Sequence, residues 1–208
     1  MSVATSDFES SVMYKVKHSG TSNKWYTVKG DTLAEIWQSI TAKGPKSHGK
    51  NVAGLTTCPV TVNAASTKFD QKFTPGKKGG FDAELWHKAI TLEYKCTITM
   101  PKLASDKKLS AKAKAEWKRF MAELTSHEQG HVKATAKEAE VMGTEIVAMK
   151  FRGSGKDKQA AFKDAVKGYK ADFGKKYAPG KVDARLELVH KKFHSSKGHG
   201  PTLNTSIK

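Results

Sequence analysis

Up to about residue 103, stretches in which apolar and polar positions trade places every second residue are interrupted by one short stretch of helical spacing. From Leu109 onward the spacing lengthens to that of a helix. In MYKVKHSG (13–20), Tyr14, Val16 and His18 alternate with lysines. KWYTVKG follows after Gly-Thr-Ser-Asn, and the pair predicts a β-hairpin. DTLAEIWQSITAKGP puts Leu33, Ile36, Trp37 and Ile40 on one side of a short helix, with Asp31 as N-cap and Gly44-Pro45 as its stop. TTCPVTVNAA and AITLEYKCTITMP read as strands. In the second, Leu92, Tyr94, Cys96, Ile98 and Met100 share a face, and Cys58 on the first comes within reach of Cys96. FTPGKKGGFD (73–82) reads as a Gly- and Lys-rich loop.

The helical half begins at Ser110, a natural cap. One long helix is expected through Phe151, with Trp117, Phe120, Met121 and Leu124 as its buried stripe and Gly153-Ser154-Gly155 as its break. A second helix is expected at about 157–176, burying Phe162, Val166, Tyr169 and Phe173. A third follows over VDARLELVHKKFH (182–194), and SSKGHGPTLNTSIK closes the chain as coil. The expected fold class is α+β: a small antiparallel sheet with an N-terminal hairpin, packed on one long helix and followed by further helices. Residues 13–208 are expected to form one domain, sheet-rich over 13–103 and helical over 109–194, with a tail at 195–208 and a flexible stretch at 1–12.

The long helix carries LTSHEQGHVKA, in which His127, Glu128 and His131 spell H-E-x-x-H. Residues four apart share a helix face, so two imidazoles can meet one zinc ion while the glutamate reaches a water beside it. Three letters alone arise by chance in roughly one or two of a hundred such sequences. Their position adds weight: the apolar stripe, extended by helical steps, lands on these residues, and buried polar groups left without a partner cost several kcal/mol. Gly130 is expected to leave room between the ligands for a substrate backbone. A third protein ligand is needed. Glu138 lies about 10 Å further along the helix axis and Glu145 further still, so the ligand must come from beyond Gly153. Candidates are Asp164, Asp172, Asp183, Glu187, His190, His194 and His199. Asp183, Glu187, His190 and His194 share one helix face, while His199 sits between two glycines.

Composition changes this picture in two respects. The 208 residues carry 37 Lys and Arg against 20 Asp and Glu, a formal charge of +17. The plain reading is a solvated lysine coat, and the other is a surface for an acidic partner. Lysines spread along the chain, without arginine-rich stripes, disfavour nucleic acid. No apolar run reaches the length of a membrane-spanning helix, and MSVATSDFESS has neither the basic nor the apolar region of a secretory signal. Two cysteines allow one disulfide or two free thiols.

The sequence resembles the predicted secreted zinc-dependent proteases of bacteria, a family long catalogued as a domain of unknown function. The resemblance spans roughly residues 13–205. It rests on YTVKGDTLAEIWQSITAKGP, on a Cys-bearing strand ending in MPKL, and on W-x-x-F-x-x-x-L-x-x-H-E-x-G-H, here Trp117, Phe120, Leu124, His127, Glu128, Gly130 and His131. Near the end, Phe193 and His194 stand where the family has a Tyr-Asp pair and Lys197 where it has threonine, whereas His199-Gly200 match. The resemblance implies a zincin-like metallopeptidase with Zn2+ on His127, His131 and either His194 or His199, and Glu128 as general base. It also implies a protein or peptide substrate and export by a route needing no visible signal, with a cytoplasmic protein as the other outcome. A separate alternative is a signal-free effector that cleaves cell-wall peptides, its lysine surface aiding adhesion to the wall. The competing class is a basic binding module for an acidic polymer or nucleic acid, its metal structural or absent.

Overall fold

The computed structural model describes residues 13–77 and 79–195. In chain order the elements are β1 (Met13–Val28), α1 (Leu33–Lys43), β2 (Lys46–Ser47), β3 (Lys50–Asn51), β4 (Leu55–Thr57), β5 (Val60–Pro75), β6 (Phe81–Leu103), α2 (Ala111–Val147), β7 (Lys150–Gly155), α3 (Lys158–Tyr177) and α4 (Pro179–Ser195). The class is α+β, as the change of period implies. Strand β6 is the common partner in a five-stranded sheet with β1, β4, β5 and β7, and β2 pairs with β3 apart from it.

The chain groups into two units. Among the described residues, the first takes 13–17, 61–77, 79–93 and 139–182, and the second takes 18–60, 94–138 and 183–195. In the first, β7 pairs antiparallel with the start of β6, from Phe81 opposite Gly155 to Trp86 opposite Lys150. Helix α3 lies over β7, with Ala161, Ala165, Leu85 and Phe151 buried between them. Gly153 and Gly155 make this packing possible. A side chain on either would meet the α3 backbone, at 2.2 Å from Ala165 N and 2.4 Å from Ala161 N. The Gly-Ser-Gly expected to break a helix therefore belongs to a strand, and α2 ends earlier, at Val147.

In the second unit, Val28, Ile36, Ile40, Leu109, Phe120 and Leu124 form the core, with Trp37, Trp117 and Met121 packed against it. Helix α1 is capped by Thr32, whose hydroxyl accepts from Glu35 N while the Glu35 carboxylate reaches back. Asp31, the expected cap, instead pairs with Lys108 at 2.7 Å. Ser110 caps α2 by accepting from Ala113 N at 3.2 Å. The expected N-terminal hairpin is one continuous strand, β1. Gly20 takes a φ of +111° within it, which absorbs the polar Gly-Thr-Ser-Asn stretch without reversing the chain. Ser22 bonds to Cys96 O and Thr97 Oγ1.

The Leu92–Met100 alternation holds, with all five expected residues buried. Cys58 and Cys96 form a disulfide. Strand β4 pairs antiparallel with β6 in the register Leu55–Thr99, Thr56–Ile98 and Thr57–Thr97, which turns Thr56 to the same side as buried Ile98.

Candidate metal centre

Helix α2 buries one residue per turn along a single line: Phe120, Leu124, Glu128, His131 and Thr135, none more than 7% exposed. The line changes from apolar to polar between Leu124 and Glu128. Leu124, Glu128 and His131 of this line face a cleft of about 1150 Å³ bounded by Trp37 and Ile40 of α1, Ser47, His48 and residues 51–59, the three motif residues of α2, and the Asp183, Glu187, His190 and His194 face of α4. All of these belong to the second unit.

His131 Nε2 stands 3.3 Å from His127 Nε2. Two nitrogens bound tetrahedrally to zinc at about 2.0–2.1 Å lie about 3.3–3.4 Å apart, so the pair already has the edge of such a site. His194 completes a triad. Its ring centroid is 5.0 Å from that of His127 and 4.7 Å from that of His131, and one nitrogen from each of the three lies within 4.8 Å of the others. Burial lowers the pKa of His131 to about 3, reinforced by the neighbouring His190, His127 and His194. Burial lowers His190 as well, with a contribution from His194, and burial alone lowers His194. Each of these lowered imidazoles keeps one ring nitrogen unprotonated near neutrality, and one nitrogen from each of His127, His131 and His194 could hold a metal ion.

Glu128 is held from the other side of the cleft. Thr56 Oγ1 donates to Glu128 Oε2 at 2.6 Å and lies 3.2 Å from the Glu128 main-chain oxygen. The strand register supplies that threonine, and Gly54 supplies the room, because a side chain there would come within 2.5 Å of Glu128 Oε1. Tyr26 fixes the segment by donating its hydroxyl to Ala53 O at 2.8 Å. Burial raises the Glu128 carboxyl to about 7, against the lowering effect of the Thr56 bonds. The sequence gives no signal for Thr56 or Gly54. Their role comes from pairing between β4 and β6, which no local pattern encodes.

Gly130 differs from expectation. A side chain there would meet the Phe193 ring at 2.4 Å, so the glycine admits an aromatic ring of α4, not a substrate backbone. Phe193 packs at 5.5 Å from the His127 ring and 4.7 Å from that of His131. Of the other candidates, Asp183 and Glu187 line the cleft. Asp164 accepts from Ser154 N, and Asp172 pairs with Lys175. Glu138 is engaged by Arg185, and Glu145 accepts from the Tyr177 hydroxyl. His199 lies outside the described residues.

Residues 23–178 match the model of a family described as bacterial protein of unknown function (DUF922). His127, Glu128 and His131 fall inside the matched stretch, and His190 and His194 fall beyond it. No curated protein and no solved structure matches the chain.

Proposed function

The chain belongs to the bacterial family DUF922, and we propose that it is a zinc-dependent, zincin-like metallopeptidase that hydrolyses a peptide or amide bond. One observation carries this reading. The paired Nε2 atoms of His127 and His131 sit 3.3 Å apart, beside a carboxyl buried in the same cleft. His127, His131 and His194 would hold the ion, which supplies Lewis acidity to a carbonyl oxygen and acidifies a water. Glu128 takes the proton of the attacking water and delivers it to the departing amine. Its raised pKa, about 7, suits both halves of that task near neutral pH. Thr56 holds the carboxylate at its Oε2 and leaves Oε1 for the proton. The cleft between α1 and α4 would receive an extended chain, with Trp37, Ile40 and Leu186 as its apolar walls.

The Cys58–Cys96 disulfide supports export to an oxidising compartment. The +17 charge would assist adhesion to an anionic envelope polymer, which makes cell-wall peptide a substrate to test beside unfolded protein. The same charge favours a second reading, a basic binding module without catalysis.

Glu128→Gln separates the two. The proposal expects the variant to keep its zinc while release of labelled peptides, from casein or from peptidoglycan, falls by about 10²–10⁴-fold. Equal activity in wild type and variant, or none in zinc-loaded wild type on either substrate, would favour the binding module.

A further inference from the structure

His190 is a fourth imidazole beside the His127–His131–His194 triad, and its contact with His131 differs in kind from those of His127 and His194. His131 turns Nε2 toward His127 Nε2, 3.3 Å away, and Nδ1 toward His190 Nδ1, 3.0 Å away. The two ring nitrogens of an imidazole direct their N–H or lone pair to different sides of the ring, so a group bonded at Nδ1 stands away from an ion bound at Nε2. His190 Nε2 in turn lies 3.5 Å from the hydroxyl of Thr135, which is fully buried one turn beyond His131 on α2.

We propose that His190 is a positioning residue for His131. Its Nδ1 accepts a hydrogen bond from His131 Nδ1–H and its own Nε2–H is directed at the Thr135 hydroxyl, so that His131 presents an unprotonated Nε2 at a fixed angle to the metal. The inference rests on the zinc reading of the cleft and adds to it a division of labour among four histidines. Three bind the ion, and one sets the tautomer and ring orientation of the most buried ligand. Outer partners of this kind fix ligand geometry and basicity in metal sites generally, and their loss costs about 10–100-fold in affinity. The assignment also keeps the site open. Were His190 a fourth ligand, the ion would be closed off by protein as in structural zinc sites.

The test compares wild type, His190→Ala, His190→Asn and His194→Ala, all in the full chain. Zinc affinity is measured by competition with a chromophoric chelator, and the ligand field by the visible spectrum of the Co2+ form. The proposal expects His190→Ala to bind zinc about 10–100-fold more weakly with the Co2+ bands unmoved. His190→Asn, whose amide oxygen takes the place of Nδ1 as acceptor, should recover most of the loss. His194→Ala should shift the bands because a ligand is gone. Unchanged affinity in His190→Ala, no recovery in His190→Asn, or a band shift like that of His194→Ala would overturn it. Wild type that binds neither metal would instead sink the zinc reading itself, and this inference with it.

Discussion

At the scale of single residues, Glu128 and His131 are pushed by the same burial in opposite directions, with opposite consequences for stability. The Glu128 carboxyl is raised from 4.5 to about 7, so the folded state favours its protonated form. Its contribution to stability is fully present below about 4.5 and is lost as pH rises through 7. Without metal, Glu128→Gln should therefore be more stable than wild type at pH 8, by on the order of 2–3 kcal/mol, and about equal at pH 4. Urea unfolding in the presence of a chelator reads this directly, and equal midpoints at pH 8 would refute it. His131 is lowered from 6.5 to about 3. Its contribution is present above 6.5 and is lost as pH falls toward 3, and the depressed values of His190 and His194 act in the same sense. In metal-free Glu128→Gln, where the opposing carboxyl contribution is gone, the protein should melt at progressively lower temperature from pH 7 to pH 5, and a flat profile there would contradict the burial of neutral imidazoles. The motif residues were legible because they interrupt an apolar stripe at helical spacing. Thr56 was not, since a threonine in a strand announces nothing until its cross-strand register is known.

Among the elements, α1, α3 and α4 could be read from the sequence because each carries a periodic apolar face, and periodicity is a local property. Helix α3 nonetheless buries Ala161, Ala165 and Tyr177 and leaves the expected Phe162, Val166, Tyr169 and Phe173 half-buried. The failures have a common cause: partners far along the chain. Strand β1 reads as a hairpin because Gly-Thr-Ser-Asn has turn composition, yet it continues as one strand with Ser22 bonded to Cys96 O and Thr97 Oγ1. Strand β7 reads as a helix break because two of its six residues are the glycines that α3 needs beneath it. Helix α4 tells the same story at the site. Its histidine face was visible, but the use of Gly130 to seat Phe193 was not. Gly130→Ala forces a methyl group into the Phe193 ring, 2.4 Å away. It should cost about 1–3 kcal/mol of stability and weaken zinc binding by moving His194 on the same turn as Phe193. Calorimetry with and without zinc checks both, and a variant as stable as wild type with unaltered affinity would show that α4 does not depend on this contact.

For the whole molecule, a single cross-link joins two segments 38 residues apart, Cys58 beside β4 and Cys96 in β6. Its reduction should lower stability by about 2–4 kcal/mol. Because β4 carries Thr56, reduction should also loosen the grip on Glu128. Thermal melts with and without reductant, beside a Cys58→Ser/Cys96→Ser pair, measure the first effect, and identical melting points would contradict it. The excess of basic residues lies beyond what the fold explains and belongs to solubility and partners. The claim on which the rest depends is the metal centre. An anomalous-difference map from crystals of the zinc-loaded protein, recorded on either side of the zinc edge, tests it most directly. One strong peak is expected, bonded to the imidazoles of His127, His131 and His194, with a fourth position not filled by protein. No peak at the head of that cleft, or one ligated through His190 in place of His194, would contradict it.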